Sequence, residues 1–463
     1  MSKVNKDMCN GPLLKQMIIY TIPIILTGVL QLLFNAADLV IVGRFGTSGS
    51  NAVAAVGATG SLTNLMLNFF IGCSVGSGVA VAQAIGSRDK ERIHRSIHTA
   101  IPVAIISGLF LSIVGVLYSK KMLELMSTPE EILDLSALYM KIYFSGMVFS
   151  LVYNFGASIL RAIGETKKPL IYLIISGVVN VILNIIFVTV FHMDVAGVAL
   201  ATIISQALSA ILVIITLMRR DDYCKLELTK MKIHPVALQK ILMVGVPAGI
   251  QGCMFSISNV IIQSSINSLS YIPGLVAGSA AAGSIEGFVY ITLNGFYHTA
   301  MNYTGQNFGA GKIERIKKIV GISLILVIVT GIITGLLVNH YATQILSLYI
   351  TDSPDAINQG AIRMTILVLP YFLCGMMEIA TGTLRGMGVS VTPMIMSILG
   401  VCGIRIMWIF TVFQIPQFHT PESLYISYPI SWLATFIFQF IALIFVYKKK
   451  KKQNSDQISV DTI

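Results

Sequence analysis

Apolar runs of about 20 residues recur along the whole chain, and that recurrence decides what it can fold into. A run of that length spans the hydrocarbon core of a bilayer as one α-helix. Inside lipid, only helices and closed barrels satisfy their own backbone hydrogen bonds. The runs fall at 15–43, 52–83, 97–118, 136–160, 169–191, 196–218, 239–266, 274–304, 319–339, 360–384, 391–413 and 424–447. An all-α integral membrane protein with twelve transmembrane helices is expected. Several runs are long enough to tilt, kink or project beyond the lipid. Only 11% of the 463 residues are charged, about half the usual fraction in a soluble domain, and so few charges cannot cover a water-soluble surface of this size. The first run is too long for a signal peptide, and no small-residue cleavage site follows it. Pro23, Pro247 and Pro370 fall inside runs and predict local bends.

The net charge of +11 invites a nucleic-acid reading, but its distribution argues against one. Twenty-six of the 32 Lys and Arg lie in or beside alternate loops and the two tails. They are Lys3, Lys6 and Lys15, those from Arg88 to Arg95, Arg161 to Lys168, Arg219 to Lys240 and Lys312 to Lys318, then Arg385 and the run Lys448 to Lys452. The opposite loops hold only Arg44, Lys120 and Lys121, among the acids Glu124, Glu130, Glu131, Asp352, Asp355 and Glu422. Such positive-inside bias places both termini in the cytoplasm and requires an even number of spans. The lysine run serves as a topology anchor or holds anionic lipid. Six cysteines, at 9, 73, 224, 253, 374 and 402, form no CxxC pair and no metal-ligand spacing. They read as reduced thiols and small core residues.

The chain repeats itself. A shift of 224 places Val246-Pro247 on Ile22-Pro23, Gly252 on Gly28 and Asn259 on Asn35. The same shift places Leu384-Arg385 on Leu160-Arg161, Gly388 on Gly164 and Pro393 on Pro169. A shift of 223 places Gln306 on Gln83, Gly309 on Gly86 and Glu314-Arg315-Ile316 on Glu91-Arg92-Ile93. Each copy has six spans, so both enter the membrane from the same side. Parallel repeats of this kind are related by an axis along the membrane normal, and substrate sites tend to lie where repeats meet. The expected organisation is an N-terminal six-helix lobe (1–218), a cytoplasmic linker (219–238), a C-terminal six-helix lobe (239–447) and a basic, polar cytoplasmic tail (448–463).

Several motifs carry a resemblance. The first helix contains Pro23, Gln31 and Asn35-Ala36-Ala37-Asp38, and ends Gly43-Arg44-Phe45-Gly46. Ala54-Ala55-Val56-Gly57 and Ala82-Gln83-Ala84-Ile85-Gly86 follow. The second half has Gly305-Gln306-Asn307-Phe308-Gly309-Ala310-Gly311 and Gly382-Thr383-Leu384-Arg385-Gly386-Met387-Gly388. In combination, and over nearly the whole chain, these resemble the bacterial branches of the multidrug and toxic compound extrusion (MATE) family. The resemblance implies two six-helix lobes around a central cleft in a bacterial plasma membrane. It implies export of organic cations or other amphipathic small molecules, driven by inward Na⁺ or H⁺, with no cofactor and no ATP. Lipid and substrate are the expected partners, and the chain is expected to act as a monomer.

An ionisable group within a span is a functional candidate by default, because it is costly there. Asp38, Glu286 and Glu378 qualify. Asp38 shares a helix face with Asn35, three residues earlier. Its carboxylate either joins amide and hydroxyl oxygens around Na⁺, its only expected metal role, or carries a proton. The alternative is an interfacial acid wetted from the outer surface. Asn180 and Asn184 share a face of the fifth span, and Thr202 lies on the sixth. The resemblance packs these three against the first-helix acid. Many family members have aspartate where this chain has Asn184, so one charge is missing here and the site takes one proton or one Na⁺. Ordinary hydrogen bonding between helices is the alternative for the asparagines. At the 224 shift the cluster meets Ile262, Ile404, Trp408 and Ile426, so it belongs to one half alone.

Gln31, Asn154, Glu286 and Glu378 are the candidates for a substrate cleft. Glu378 falls on Asn154 in the repeat and stands roughly 10 Å before Arg385 along its helix. It draws a cationic substrate, carries a second proton, or forms a salt bridge with Arg405. Glu286 serves the cleft or packs against polar neighbours.

No GxxxxGKT or HExxH pattern occurs, and neither ATP nor a cofactor is expected. The one GxSxG string, Gly72-Cys73-Ser74-Val75-Gly76, falls inside an apolar run, where small residues let helices pack closely. The expected function is therefore a secondary antiporter working by alternating access. A lipid-linked oligosaccharide flippase is the nearest rival, and its phosphates would call for basic residues in the cavity. Outside the loops and tails only Lys141, Arg363 and Arg405 are basic, the first two near helix ends. An intramembrane enzyme would need a nucleophile–base or metal constellation. A pore would favour symmetric polar rings, and here the polar sites break the repeat.

Overall fold

The computed structural model describes residues 8–461 except 47 and 352. Lys3, Lys6, Asp352 and the last two residues of the expected tail lie outside that set. Among the described residues there are helices and turns and no strand. Ten helices are long and apolar enough to cross a membrane, from Leu13–Phe45 to Pro421–Asn454. Two further spans are pairs of shorter helices: Glu130–Ser145 with Met147–Ile163, bent by 49°, and Pro354–Val368 with Tyr371–Gly386, bent by 44°. Counting each pair once gives the twelve spans expected.

The bends fall at matched places in the repeat, Gly146 in one copy and Pro370 in the other. Proline breaks a helix because it has no N–H and its ring crowds the preceding turn. The sequence marks the second bend in this way and leaves the first unmarked. Pro23 and Pro247 lie inside helices that run without a break, Leu13–Phe45 and Pro235–Ser268. The helices after the two bends also end alike. Gly164 and Gly388 have φ of +98° and +82°, a left-handed turn that costs glycine nothing. The Glu165 N–H donates to the Leu160 carbonyl and the Val389 N–H to the Leu384 carbonyl, both at 2.9 Å, the six-to-one bond of a Schellman cap. The Leu-Arg…Gly spacing that revealed the repeat is therefore the signature of this helix end.

Two compact units share the chain. One comprises Leu26–Gly249, and the other Met8–Ile25 together with the chain from Ile250 on. These boundaries cut across those of the repeat, because the first helix of each half starts in the other unit. Thr21 shares a 2.7 Å hydrogen bond with Thr299, and Tyr20 meets Tyr303 edge-on, both within the second unit. Ile241 belongs to the apolar core of the first. The segment 219–238 is likewise bound to the first unit. Arg220 bridges Glu165, at 2.7 Å, and Asp222. The N–H groups of Glu227 and His234 donate to His98 Nε2 at 3.0 Å and to Thr99 Oγ1 at 3.1 Å.

Each unit has an apolar core, with Phe155, Ile159 and Leu160 in the first and Leu293, Met364 and Leu367 in the second. Outward faces are apolar too. Phe110, Ile113 and Leu117 are each more than half exposed, as on a helix solvated by lipid. All six cysteines are free thiols. The final helix, Pro421–Asp461, runs on through the lysine run into the tail, where Lys451 pairs with Glu314.

Candidate ion and substrate site

The first unit holds a polar cavity of about 90 Å³, room for several waters where one needs roughly 10–15 Å³. Asp38 forms part of its wall and is 9% exposed. The carboxylate reaches the interior because its helix can approach the fifth span closely. Gly177 makes this possible, since a Cβ there would lie 2.0 Å from the Phe34 ring. The close approach brings Asp38 against Asn184, whose Nδ2 donates to Asp38 Oδ1 at 2.5 Å and to Asn180 Oδ1 at 3.2 Å. Thr202 stands beside the same carboxylate. Among the described residues no Lys, Arg or His forms an ion pair with Asp38. Asn184 Oδ1 is buried and accepts no hydrogen bond. The cluster thus gathers one unpaired carboxylate with amide and hydroxyl oxygens, a set that suits a proton or a small hard cation.

Gln31, Asn35, Asn154, Asn180 and Thr202 line this cavity with Asp38, and Asn184 lies against it. Asn154 Nδ2 is held by the Ser150 carbonyl at 2.8 Å. Sequence reasoning missed Ser150, Tyr153, Ser176, Ser205, Gln206 and Ser209 in the wall. The signal was present: Ser176 continues the four-residue spacing of Asn180 and Asn184, and Thr202, Ser205, Gln206 and Ser209 follow one helix face. It also missed Tyr139 and Tyr143, which stand within electrostatic reach of Asp38.

Glu286 and Glu378 belong to the second unit and do not line this cavity. Glu286 is buried and held by Arg363, with Nε at 2.7 Å from Oε1 and Nη2 at 2.9 Å from Oε2. Arg363 also donates to Ser279 at 2.6 Å. It therefore lies deep in the unit instead of near a helix end, because its fork matches the carboxylate. Arg385, in the last turn of its helix beside a loop, is buried as well, with its Nη atoms on Tyr297 and Gln251 at 2.7 and 2.8 Å. Glu378 is 6% exposed and makes no hydrogen bond or ion pair among the described residues. The expected bridge to Arg405 does not form, because Arg405 instead lies over the ring of Tyr428 and donates to Ser431.

A model of the MatE family matches residues 23–186 and again 247–411. The chain belongs to the MatE family. The two matches begin 224 residues apart, the spacing of the repeat. The chain is similar to the probable multidrug resistance protein YoeA of Bacillus subtilis, 26% identical over 444 residues that cover 94% of this chain and 95% of that one. It is also similar to the multidrug export protein MepA of Staphylococcus haemolyticus, 21% identical with 96% of each covered. Its fold matches a MOP superfamily transporter from Pyrococcus furiosus with a TM-score of 0.89 at 20% identity, over 97% of this chain and 100% of that one. MatE proteins are multi-pass membrane transporters, so this one is a transporter and not an enzyme.

Proposed function

We propose that this MatE protein exports amphipathic, cationic small molecules across a bacterial plasma membrane in exchange for H⁺ or Na⁺. The observation that carries this reading is the buried, unpaired carboxylate of Asp38, set among Asn180, Asn184 and Thr202 on a polar cavity. An ionised acid without a partner costs several kcal/mol inside a membrane protein. Taking up an inward-moving cation removes that cost, so the loaded and unloaded states differ most at this residue. A coupling ion drives transport only through such a difference in affinity between two states. Relatives named for multidrug resistance and multidrug export support the substrate class. Glu378, also buried and unpaired, offers a cationic substrate a counter-charge in the second unit. The basic loops at 88–95, 161–168 and 312–318 favour an orientation with both termini in the cytoplasm.

Transport into proteoliposomes, with Na⁺ and pH gradients imposed separately, tests the proposal. One of the two gradients should drive uptake of a lipophilic cation such as ethidium, and Asp38→Asn should abolish that response at normal expression. Gradient-driven transport that survives Asp38→Asn would overturn the coupling role of Asp38.

A further inference from the structure

The interior of the second unit holds three arginines, Arg363, Arg385 and Arg405, each no more than 7% exposed. Two are engaged through both Nη atoms. Arg363 uses them on Glu286 and Ser279, and Arg385 on Gln251 and Tyr297. Arg405 differs. Only its Nε is engaged, by Ser431 Oγ at 2.9 Å. Its Nη atoms have no protein partner among the described residues, and neither belongs to the polar atoms sealed away without one. No carboxylate lies within salt-bridge distance of it among the described residues. A guanidinium carries five N–H donors, so four of them, all on Nη, have no protein acceptor among the described residues.

What holds the side chain there is aromatic. Its guanidinium carbon lies 3.9 Å from the ring centre of Tyr428 and 5.6 Å from that of Trp432. Tyr371 packs on the same tryptophan at 4.7 Å. Ring faces attract a cation by about 2 kcal/mol when it is desolvated, less than the several kcal/mol that burying an unpaired charge costs. With Nε engaged and both Nη atoms without a protein acceptor, the fork keeps its Nη pair for a ligand, and such a pair receives a carboxylate through two parallel bonds. The first half has nothing comparable: at the 224 shift Arg405 falls on Val181, Tyr428 on Ile204 and Trp432 on Leu208.

We infer that Arg405 is the anion-binding residue of a substrate subsite in the second unit, one that takes aromatic carboxylates. The inference deepens the export reading and rests on it for the claim that the bound molecule is cargo. Substrates would then include zwitterions, with Glu378 in the same unit for the cationic end. Cys374, one helical turn before Glu378, stands within electrostatic reach of both Glu378 and Arg405.

The test is equilibrium binding to the purified full-length protein in lipid nanodiscs, followed by fluorescence anisotropy. The probes are a rhodamine bearing a free carboxylate and its methyl ester, which share the ring system and the cationic nitrogen. Wild type should bind the acid more tightly than the ester. Arg405→Gln should weaken the acid at least about tenfold, in keeping with a charge-assisted pair, and leave the ester within twofold. Arg405→Lys, which keeps the charge and loses the fork, should fall between. The ester also reports on folding, because a collapsed variant loses both probes. Parallel loss of the two, or a wild type with no preference for the acid, would overturn the inference and leave Arg405 a packing residue. No gradient is imposed, so a failure of ion-driven transport in proteoliposomes would sink the antiport reading while leaving this result standing.

Discussion

In the first unit the side chains that meet inside are amides, hydroxyls and one carboxylate, Asp38. In the second, the positions matched by the repeat carry charge: Glu378 for Asn154, Arg363 for Tyr139 and Arg405 for Val181. The backbones around them share landmarks, a bend at Gly146 or Pro370 and a left-handed glycine at 164 or 388, but the π-helical turns fall at unmatched places, Ile186–Val190 and Ile398–Gly403. The contrast shows how a duplicated membrane scaffold diverges. Helices satisfy their backbone internally, so the interior side chains are free to change while the frame is kept. A lone carboxylate among neutral groups is easily neutralised by a proton or a cation. The first interior thus centres on one unpaired carboxylate, while the second combines a locked ion pair with the unpaired Glu378.

The largest effect should come from removing the group that changes charge. Asp38→Asn is expected to abolish ion-driven transport, whereas Glu378→Gln should leave the response to the gradient in place and weaken cationic substrates by about tenfold. Proteoliposome uptake measured at several substrate concentrations separates the two. Equal loss of gradient response in both variants would erase the proposed division of labour.

The locked pair should matter to stability. Breaking a buried ion pair from one side leaves an uncompensated charge and costs about 3–5 kcal/mol, while replacing both partners with apolar groups is often nearly neutral. Glu286→Leu or Arg363→Met should each lower the thermal unfolding temperature in detergent markedly, and the double variant should recover most of the loss. Single variants as stable as wild type would mean that the pair is wetted and holds no uncompensated charge when broken.

Much of this was readable from the sequence, for identifiable reasons. Span number follows from apolar length, and the repeat from glycine and proline positions that the backbone itself demands. Asp38, Asn180 and Asn184 stand out because polar groups in apolar runs are conspicuous. The serines of the cavity wall do not, since hydroxyls occur throughout membrane helices, satisfied by the carbonyl four residues back, as Ser96 is by Arg92 at 2.8 Å. The pairing of Glu286 with Arg363, 77 residues apart, depends on which helices pack together, and no local pattern reports that. The inward turn of Arg363 and Arg385 was hidden for the same reason: distance from a helix end does not say which way a side chain turns.

The shared frame should respond alike in both halves. Gly164→Ala and Gly388→Ala each place a Cβ in a left-handed turn and should cost about 1–2 kcal/mol. Thermal shifts of similar size in the two variants are expected. A large loss from one and none from the other would show that the matched caps no longer serve matched purposes.

The smallest effect distinguishes the halves again, at the same helix end. Glu165 follows Gly164, and its repeat partner is Val389, so only the first unit has a carboxylate there. Partial burial pushes the Glu165 pKa up, but bonds to Lys168 and Arg220 outweigh burial and hold it below the usual glutamate value. A carboxyl depressed in the folded state stabilises fully above its unfolded value, about 4.3. That contribution is lost as the pH falls through the lower folded value. With Glu165 about a quarter exposed, the contribution is about 1 kcal/mol or less. Limited proteolysis within 219–226 should therefore be slow at neutral pH and rise below pH ~4. Glu165→Gln should show the faster cleavage at every pH. The corresponding turn at Val389 should show no such acid dependence. If it does, the acid response comes from general unfolding and not from the Glu165–Arg220 clamp.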